Sequence, residues 1–147
     1  MLNLHWLGDN CLSIEEIGQL NCPIVWTLHD QWPFCGAEHY SPWANDSPGK
    51  EYRYVSGYSR SSCPPSQLNY DLNRLTWKRK RHSWKKPITF VAPSSWMADS
   101  AKQSALASSW PCHVIPNTLD TDQWKPINSF IARDLMCLPQ DSLLILF

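Results

Sequence analysis

The stretch Ile24-Val-Trp-Thr-Leu-His-Asp30 constrains this chain most, because an apolar run ends directly in an imidazole and a carboxylate. The run does not alternate apolar with polar, which is the pattern of a strand buried on both faces of a parallel sheet. Polar side chains at the carboxyl end of such a strand face the crevice in which open α/β sheets bind ligands. The same grammar recurs along the chain. Ile88-Thr-Phe-Val-Ala92 runs into Pro93-Ser-Ser-Trp96, His113-Val-Ile115 into Pro116-Asn-Thr-Leu-Asp120, and Leu2-Asn-Leu4 into His5-Trp6. The expected fold class is α/β: a Rossmann-like parallel sheet flanked by helices, with its chemistry at the strand tips.

Helix signals fall between these runs. Ser13 and Glu16 form a capping box, with Leu12 and Ile17 as the staple around it. Asp71 caps a second helix that the pattern extends to the stop at Pro87, and Ser94 or Ser95 caps a third running to about Leu106. Strand, helix and strand in this compass make a βαβ unit with an expected right-handed crossover. Residues 31 to 70 have no sustained period, so this long loop is either functional or poorly ordered. Its first part, Trp32-Pro-Phe-Cys-Gly-Ala-Glu-His-Tyr40, mixes aromatic with polar groups. That mixture suits a sugar or nucleotide site, and equally suits aromatics that only pin the loop to the sheet. Near the end, Ile131, Leu135 and Leu138 mark one face of a short helix, and residues 142 to 147 read as a buried strand.

Charge narrows the partners. Thirteen basic and thirteen acidic residues cancel, so no global field recruits nucleic acid. Seven of the thirteen cations nevertheless lie between Arg74 and Lys86, interleaved with Leu72, Leu75, Trp77 and Trp84. One reading is a solvated helix face; another is an interfacial helix that meets an anionic membrane through Lys78, Arg79, Lys80 and Arg81; a third, the weakest, is a nuclear signal or nucleic-acid arm. No apolar run approaches a spanning helix, and the N-terminus has no signal-peptide pattern. The expected location is cytoplasmic, with peripheral contact at the inner membrane face. Six scattered cysteines without a C-x-x-C pair fit reduced thiols in that compartment.

Other chemistries fit poorly. Cys35, His39 and Cys63 match no closed zinc spacing, so no metal is expected. No thiol sits at a strand tip beside a base, and the five glycines form no phosphate loop. What remains is the row His5, His29, Asp30, Ser94, Ser95, Asn117 and Asp120 at successive strand tips. Each alone suits a turn or a cap; together they describe one crevice edge.

Several of these segments, in this order, resemble a known family. Asn3-Leu-His-Trp-Leu, Leu12-Ser-Ile-Glu-Glu-Ile, Pro23-Ile-Val-Trp-Thr-Leu-His-Asp-Gln-Trp-Pro-Phe, Trp77-Lys-Arg-Lys-Arg, Ala92-Pro-Ser-Ser-Trp and Val114-Ile-Pro-Asn-Thr-Leu-Asp resemble the N-terminal domain of family 4 glycosyltransferases. The likeness is closest to bacterial members that build exopolysaccharide or cell-surface glycans. It implies a GT-B architecture, in which an acceptor-side domain faces a donor domain across a cleft. The implied reaction moves a sugar, with retention, from a nucleotide-sugar co-substrate to a glycan or lipid-linked acceptor, without an essential metal or other cofactor. It makes His29 the catalytic cleft histidine against the donor sugar. Asp30 then holds the adjoining turn or an acceptor hydroxyl, Ser94 and Ser95 form the cleft wall, and Asn117 and Asp120 form the turn before the interdomain linker.

The departures are specific. Thr118 replaces the usual Gly and is strained if the site needs a positive φ. The family's N-terminal Gly-rich loop would precede Met1, and its donor domain would begin near Leu143. The implied division is an acceptor-side domain over 1–126, with its long loop at 31–70, and a linker helix with one donor-domain strand over 127–147. On that division the chain alone is expected to be inactive. The alternative function is a non-catalytic half-enzyme that binds an acceptor or a partner chain.

Overall fold

A computed structural model describes residues 1–7, 11–41, 51–64 and 70–145. It divides into two compact units, Met1–Pro116 and Asn117–Phe147. The division falls at Pro116, earlier than the boundary at 126 that the resemblance implies.

The first unit is an α/β layer built on four parallel strands in the order β1-β2-β3-β4. They are β1 (Leu2–Leu4), β2 (Ile24–Thr27), β3 (Thr89–Ala92) and β4 (Cys112–Val114). Leu4, Trp26, Phe90 and Cys112 stand in register across all four, so their side chains share one face of the sheet. Phe90 is fully buried and Trp26 nearly so. Between β1 and β2 lies α1 (Ile14–Gln19). It begins as its sequence dictates: the Glu16 N–H donates to Ser13 Oγ at 3.2 Å, and Glu16 Oε2 accepts from the Ser13 N–H at 2.7 Å.

Between β2 and β3 come α2 (Arg53–Ser56) and α3 (Leu72–Ser83). The Asp71 side chain caps α3 by accepting from the Arg74 N–H at 2.9 Å. The same carboxylate takes both arms of Arg53, at 2.6 and 3.2 Å, which ties the connection back to the helix start. The helix stops at Ser83, short of the expected Pro87, because Trp84 turns inward and its Nε1–H donates to the Ile14 carbonyl at 2.8 Å. α1 lies against α3, and Gly18 permits the approach: a Cβ there would meet the Ser83 carbonyl oxygen at 2.5 Å.

After β3, Ser94 caps α4 (Ser95–Gln103), which packs on β3 and β4. It ends before the expected Leu106, since the buried Ser104 hydroxyl captures the Ala107 N–H at 3.0 Å and starts a turn. The core interleaves these elements through aromatics, with Trp26, Trp32 and Trp84 having ring centroids 5.7 to 6.1 Å apart.

The long loop is compact in its described parts. The N–H groups of Phe34 and Cys35 donate to the Gln31 carbonyl, and the Gln31 N–H donates to the His39 carbonyl at 2.8 Å. Its side chain accepts from the Ser41 N–H at 2.8 Å, so Gln31 closes the segment at both levels. Phe34 and Cys35 are fully buried, as aromatics that pin a loop must be. Residues 42–50 and 65–69 lie outside the described residues.

The second unit contains α5 (Ser129–Leu135), capped by Asn128, with no buried residue. The buried strand expected at 142–147 is not there in its described part. Residues 142–145 are irregular, with Leu143 88% and Ile145 76% exposed, and residues 146–147 lie outside the description. An apolar run becomes a strand only where a neighbour takes its backbone hydrogen bonds, and among the described residues this unit has no strand to do so. Thr118 is not strained either: among the described residues the one non-glycine with positive φ is Cys137.

Candidate functional site

Parallel pairing puts the segments after β1, β2 and β3 on one sheet edge, so His5, His29-Asp30 and Ser94-Ser95 share it. His29 is exposed, and its Nε2 lies 3.0 Å from Nδ1 of His5, whose Nε2 lies 3.2 Å from the Asn3 amide nitrogen. The Tyr40 hydroxyl donates to the His29 carbonyl at 3.0 Å, fixing the backbone beneath the imidazole. Asp30 is buried and already engaged. Its Oδ2 accepts from His39 Nδ1 at 2.6 Å and its Oδ1 from the Trp32 N–H at 3.0 Å. Asp30 therefore holds the turn.

Ser94 spends its hydroxyl on the cap, accepting from the Met97 N–H at 3.2 Å, while Ser95 stays exposed beside Trp96. Trp6 and Trp96 are exposed at 56% and 58%, with the Trp6 ring centroid 6.3 Å from that of His39. The recess among Trp6, His29, Asp30, Trp32 and His39 measures about 10 Å³, room for roughly one water. A larger hollow of about 320 Å³ opens at the amino ends of β2 and β3, between Gly18, Cys22, Ile24, Lys86 and Ile88. No carboxylate or imidazole lines it.

Asn117 and Asp120 belong to the second unit. Asp120 Oδ1 accepts from the N–H groups of Asp122 and Gln123 at 3.0 and 3.2 Å, an Asx turn.

The basic helix requires a correction. Lys80 is fully buried and meets no membrane. Its Nζ donates to the carbonyls of Trp32, Cys35 (3.2 Å) and Gly36 (2.7 Å), and sits 3.7 Å from the centre of the Trp32 ring. Burial pulls this ammonium from its ordinary value down to about 7, while the surrounding acidic groups, Glu38 and Asp30 among them, act the other way. Arg79 is bound at both arms by Glu15, at 2.9 and 2.7 Å. Trp77 and Trp84 are buried too, so neither is an interfacial anchor. Lys78 and Arg81 remain exposed.

The burial of Lys80 had a legible signal. Thr76, Trp77, Lys80 and Trp84 recur at helical spacing, which puts Lys80 on the tryptophan face rather than the charged one. Nothing in the sequence announced the network beneath the loop. There Tyr58 donates to Glu38 and accepts from the Gly36 N–H at 2.9 Å, with burial pushing its phenol up. Among the described residues no three His, Cys, Asp or Glu side chains converge as a metal site; Cys35 is buried and His39 is turned to Asp30. All six cysteines are free.

Compared with known proteins, the chain matches no family model, no curated protein and no solved structure.

Proposed function

We propose that this chain is the acceptor-side part of a retaining GT-B glycosyltransferase of family 4, acting with a nucleotide-sugar donor on a glycan or lipid-linked acceptor. The observation that carries the reading is His29 standing exposed at the carboxyl edge of a parallel sheet, its backbone pinned by Tyr40, with Ser94 and Ser95 on the next strand's tip. Parallel sheets bind ligands at that edge. The exposed indoles of Trp6 and Trp96 suit the apolar face of a sugar ring. The test is a titration of the labelled chain with short glycans and with polyprenyl-pyrophosphate-linked sugars. Amide shifts should appear at His29, Ser95 and Trp96 and vanish in His29→Ala. No response to any of these ligands would remove the support for the reading.

A second reading, a binding module without catalysis, is favoured by the shallowness of the recess, which encloses no sugar by itself. Turnover of a nucleotide sugar that is abolished by His29→Ala favours the enzyme. Because the chain alone is expected to be inactive on either reading, the module is favoured instead by binding without turnover when a GT-B donor domain is supplied in trans.

Membrane contact belongs to the same proposal in amended form. Leu72 and Leu75 are exposed on α3, and Lys78, Arg81, Lys85 and Lys86 are exposed along it and just beyond its end. Four cations at an anionic surface contribute roughly 4 kcal/mol, enough for reversible docking. Sedimentation with anionic vesicles at low salt should weaken at least tenfold when Lys78 and Arg81 both become Gln. Equal binding by that variant would rule this surface out. No helix among the described residues is long and apolar enough to cross a membrane.

A further inference from the structure

We infer that His5, itself held by Asn3, sets the tautomer of His29, so that His29 presents an N–H and not a lone pair at the sheet edge. For its functional meaning the inference rests on the proposed role of His29; for the tautomer it rests on geometry.

The direction of donation follows from the first member of the chain. An amide nitrogen has hydrogens and no available lone pair, so the Asn3 side chain, 3.2 Å from His5 Nε2, can only donate there. A neutral imidazole has one donor and one acceptor nitrogen. With its Nε2 accepting, His5 carries its hydrogen on Nδ1 and donates to His29 Nε2 across 3.0 Å. His29 Nε2 is then the acceptor, and its hydrogen sits on Nδ1. Among the described residues Nδ1 of His29 meets no hydrogen-bond partner, and the residue is exposed. The donor it offers is therefore available to a ligand.

The strands make the contact reproducible. Leu4 of β1 is in register with Trp26 of β2, so His5 leaves its strand one residue past that row and His29 three residues past it. The imidazole centroids lie 5.3 Å apart, with the rings tilted by 31°. An exposed histidine in water favours the hydrogen on Nε2; the pair imposes the opposite choice. The consequence is chemical. A neutral His29 of this form cannot take a proton through Nδ1, so it is a poor general base on its exposed side. It suits an oxygen lone pair, whether of a sugar hydroxyl or of a phosphate. His5 and Asn3 are positioning residues, acting through His29.

The test reads the tautomer directly. The chain has five histidines, few enough for a long-range proton–nitrogen spectrum of the labelled protein, with His29→Gln assigning the resonance. In the unaltered chain at neutral pH, His29 should be in the Nδ1–H form. His5→Asn places an amide nitrogen where imidazole Nδ1 lies, keeps the donor and should keep that form. His5→Asp places only an acceptor there and should switch His29 to the Nε2–H form. His5→Leu offers neither, and the Nε2–H form should again dominate. A merely structural contribution from His5 would leave the tautomer the same in all three. An Nε2–H His29 in the unaltered chain, or one indifferent to residue 5, overturns the inference. Adding glycans and inorganic phosphate separately to the unaltered chain distinguishes the two oxygen sources by which one shifts Nδ1 of His29. A tautomer that follows residue 5 while no glycan perturbs His29 supports this inference and counts against the glycan reading alone.

Discussion

Lys80 is the residue with the most at stake. Among the described residues its ammonium has no carboxylate partner and is held by three carbonyls and an indole face. Lys80→Met keeps the length and apolar volume but leaves those carbonyls without their donor. Each buried unsatisfied group costs about 1–3 kcal/mol, while the lost desolvation of the cation offsets part of that. A net loss of about 2 kcal/mol in urea unfolding at pH 7 is expected, with residues 32–36 losing amide protection first. The pH dependence has a definite sign. The unfolded side chain titrates at its ordinary value of 10.5 and the folded one at about 7. Between those values the unfolded chain binds more protons, so this group makes stability rise with pH from about 7 toward 10.5 and contributes no slope below 7. Unfolding at pH 7, 8 and 9 should show that rise, and Lys80→Met should lack it.

At the scale of the element, α1 and α3 define each other. Gly18 sits where a Cβ would meet the Ser83 backbone, which cannot yield as a flexible side chain does. Gly18→Ala should cost about 1–3 kcal/mol by forcing the helices apart, although alanine alone would favour the helix. Thermal unfolding measures it, and a stabilised Gly18→Ala would contradict the close approach. The start of α3 carries a second dependence. Burial works to raise the Asp71 carboxyl, but Arg53, the Arg74 N–H and Cys63 outweigh it and hold it below the usual 3.8. A carboxylate with a lowered folded value contributes stability that is present above its unfolded value and lost as pH falls through the folded one. Asp71→Ala removes the cap and leaves Arg53 half-buried without its partner. A loss of about 2 kcal/mol at neutral pH, fading below pH ~3.8, is the expected result of denaturation across pH 2–7.

At the scale of the whole molecule, the two units should differ in protection. The strands β2 and β3 lie inside the sheet with Trp26, Leu28 and Phe90 nearly inaccessible, whereas α5 buries no side chain. Local opening follows burial, so the amides of β2 and β3 should exchange at the rate of global unfolding and those of α5 orders of magnitude faster. Hydrogen exchange read by mass spectrometry on peptic fragments tests this. Protection in residues 129–135 equal to that of 24–27 would contradict it.

Much of the fold was local and therefore legible in one dimension. Apolar runs that end in polar residues marked all four strands, and Ser13, Asp71 and Ser94 cap the helices they were read to cap. Parallel pairing follows from those runs, and it alone sends His5, His29 and Ser94 to one edge. Local pattern is blind to what meets it from a distance. Spacing puts Lys80 on the tryptophan face of α3, but the carbonyls 44 to 48 residues away that enclose it leave no local mark. The segment 31–41 looked irregular because its order comes from Gln31, Tyr58 and Lys80 rather than from any period. Residues 142–145 looked like a strand because their composition is right, but strand formation is decided by a neighbour's free backbone groups. The strand tips were determined by sequence because covering both faces of a parallel strand demands a continuous apolar run, and the end of such a run is a local mark. The contacts among the tips, His5 to His29 and His39 to Asp30, were decided by tertiary structure, because only the assembled sheet and its closed loop bring those side chains within hydrogen-bonding distance.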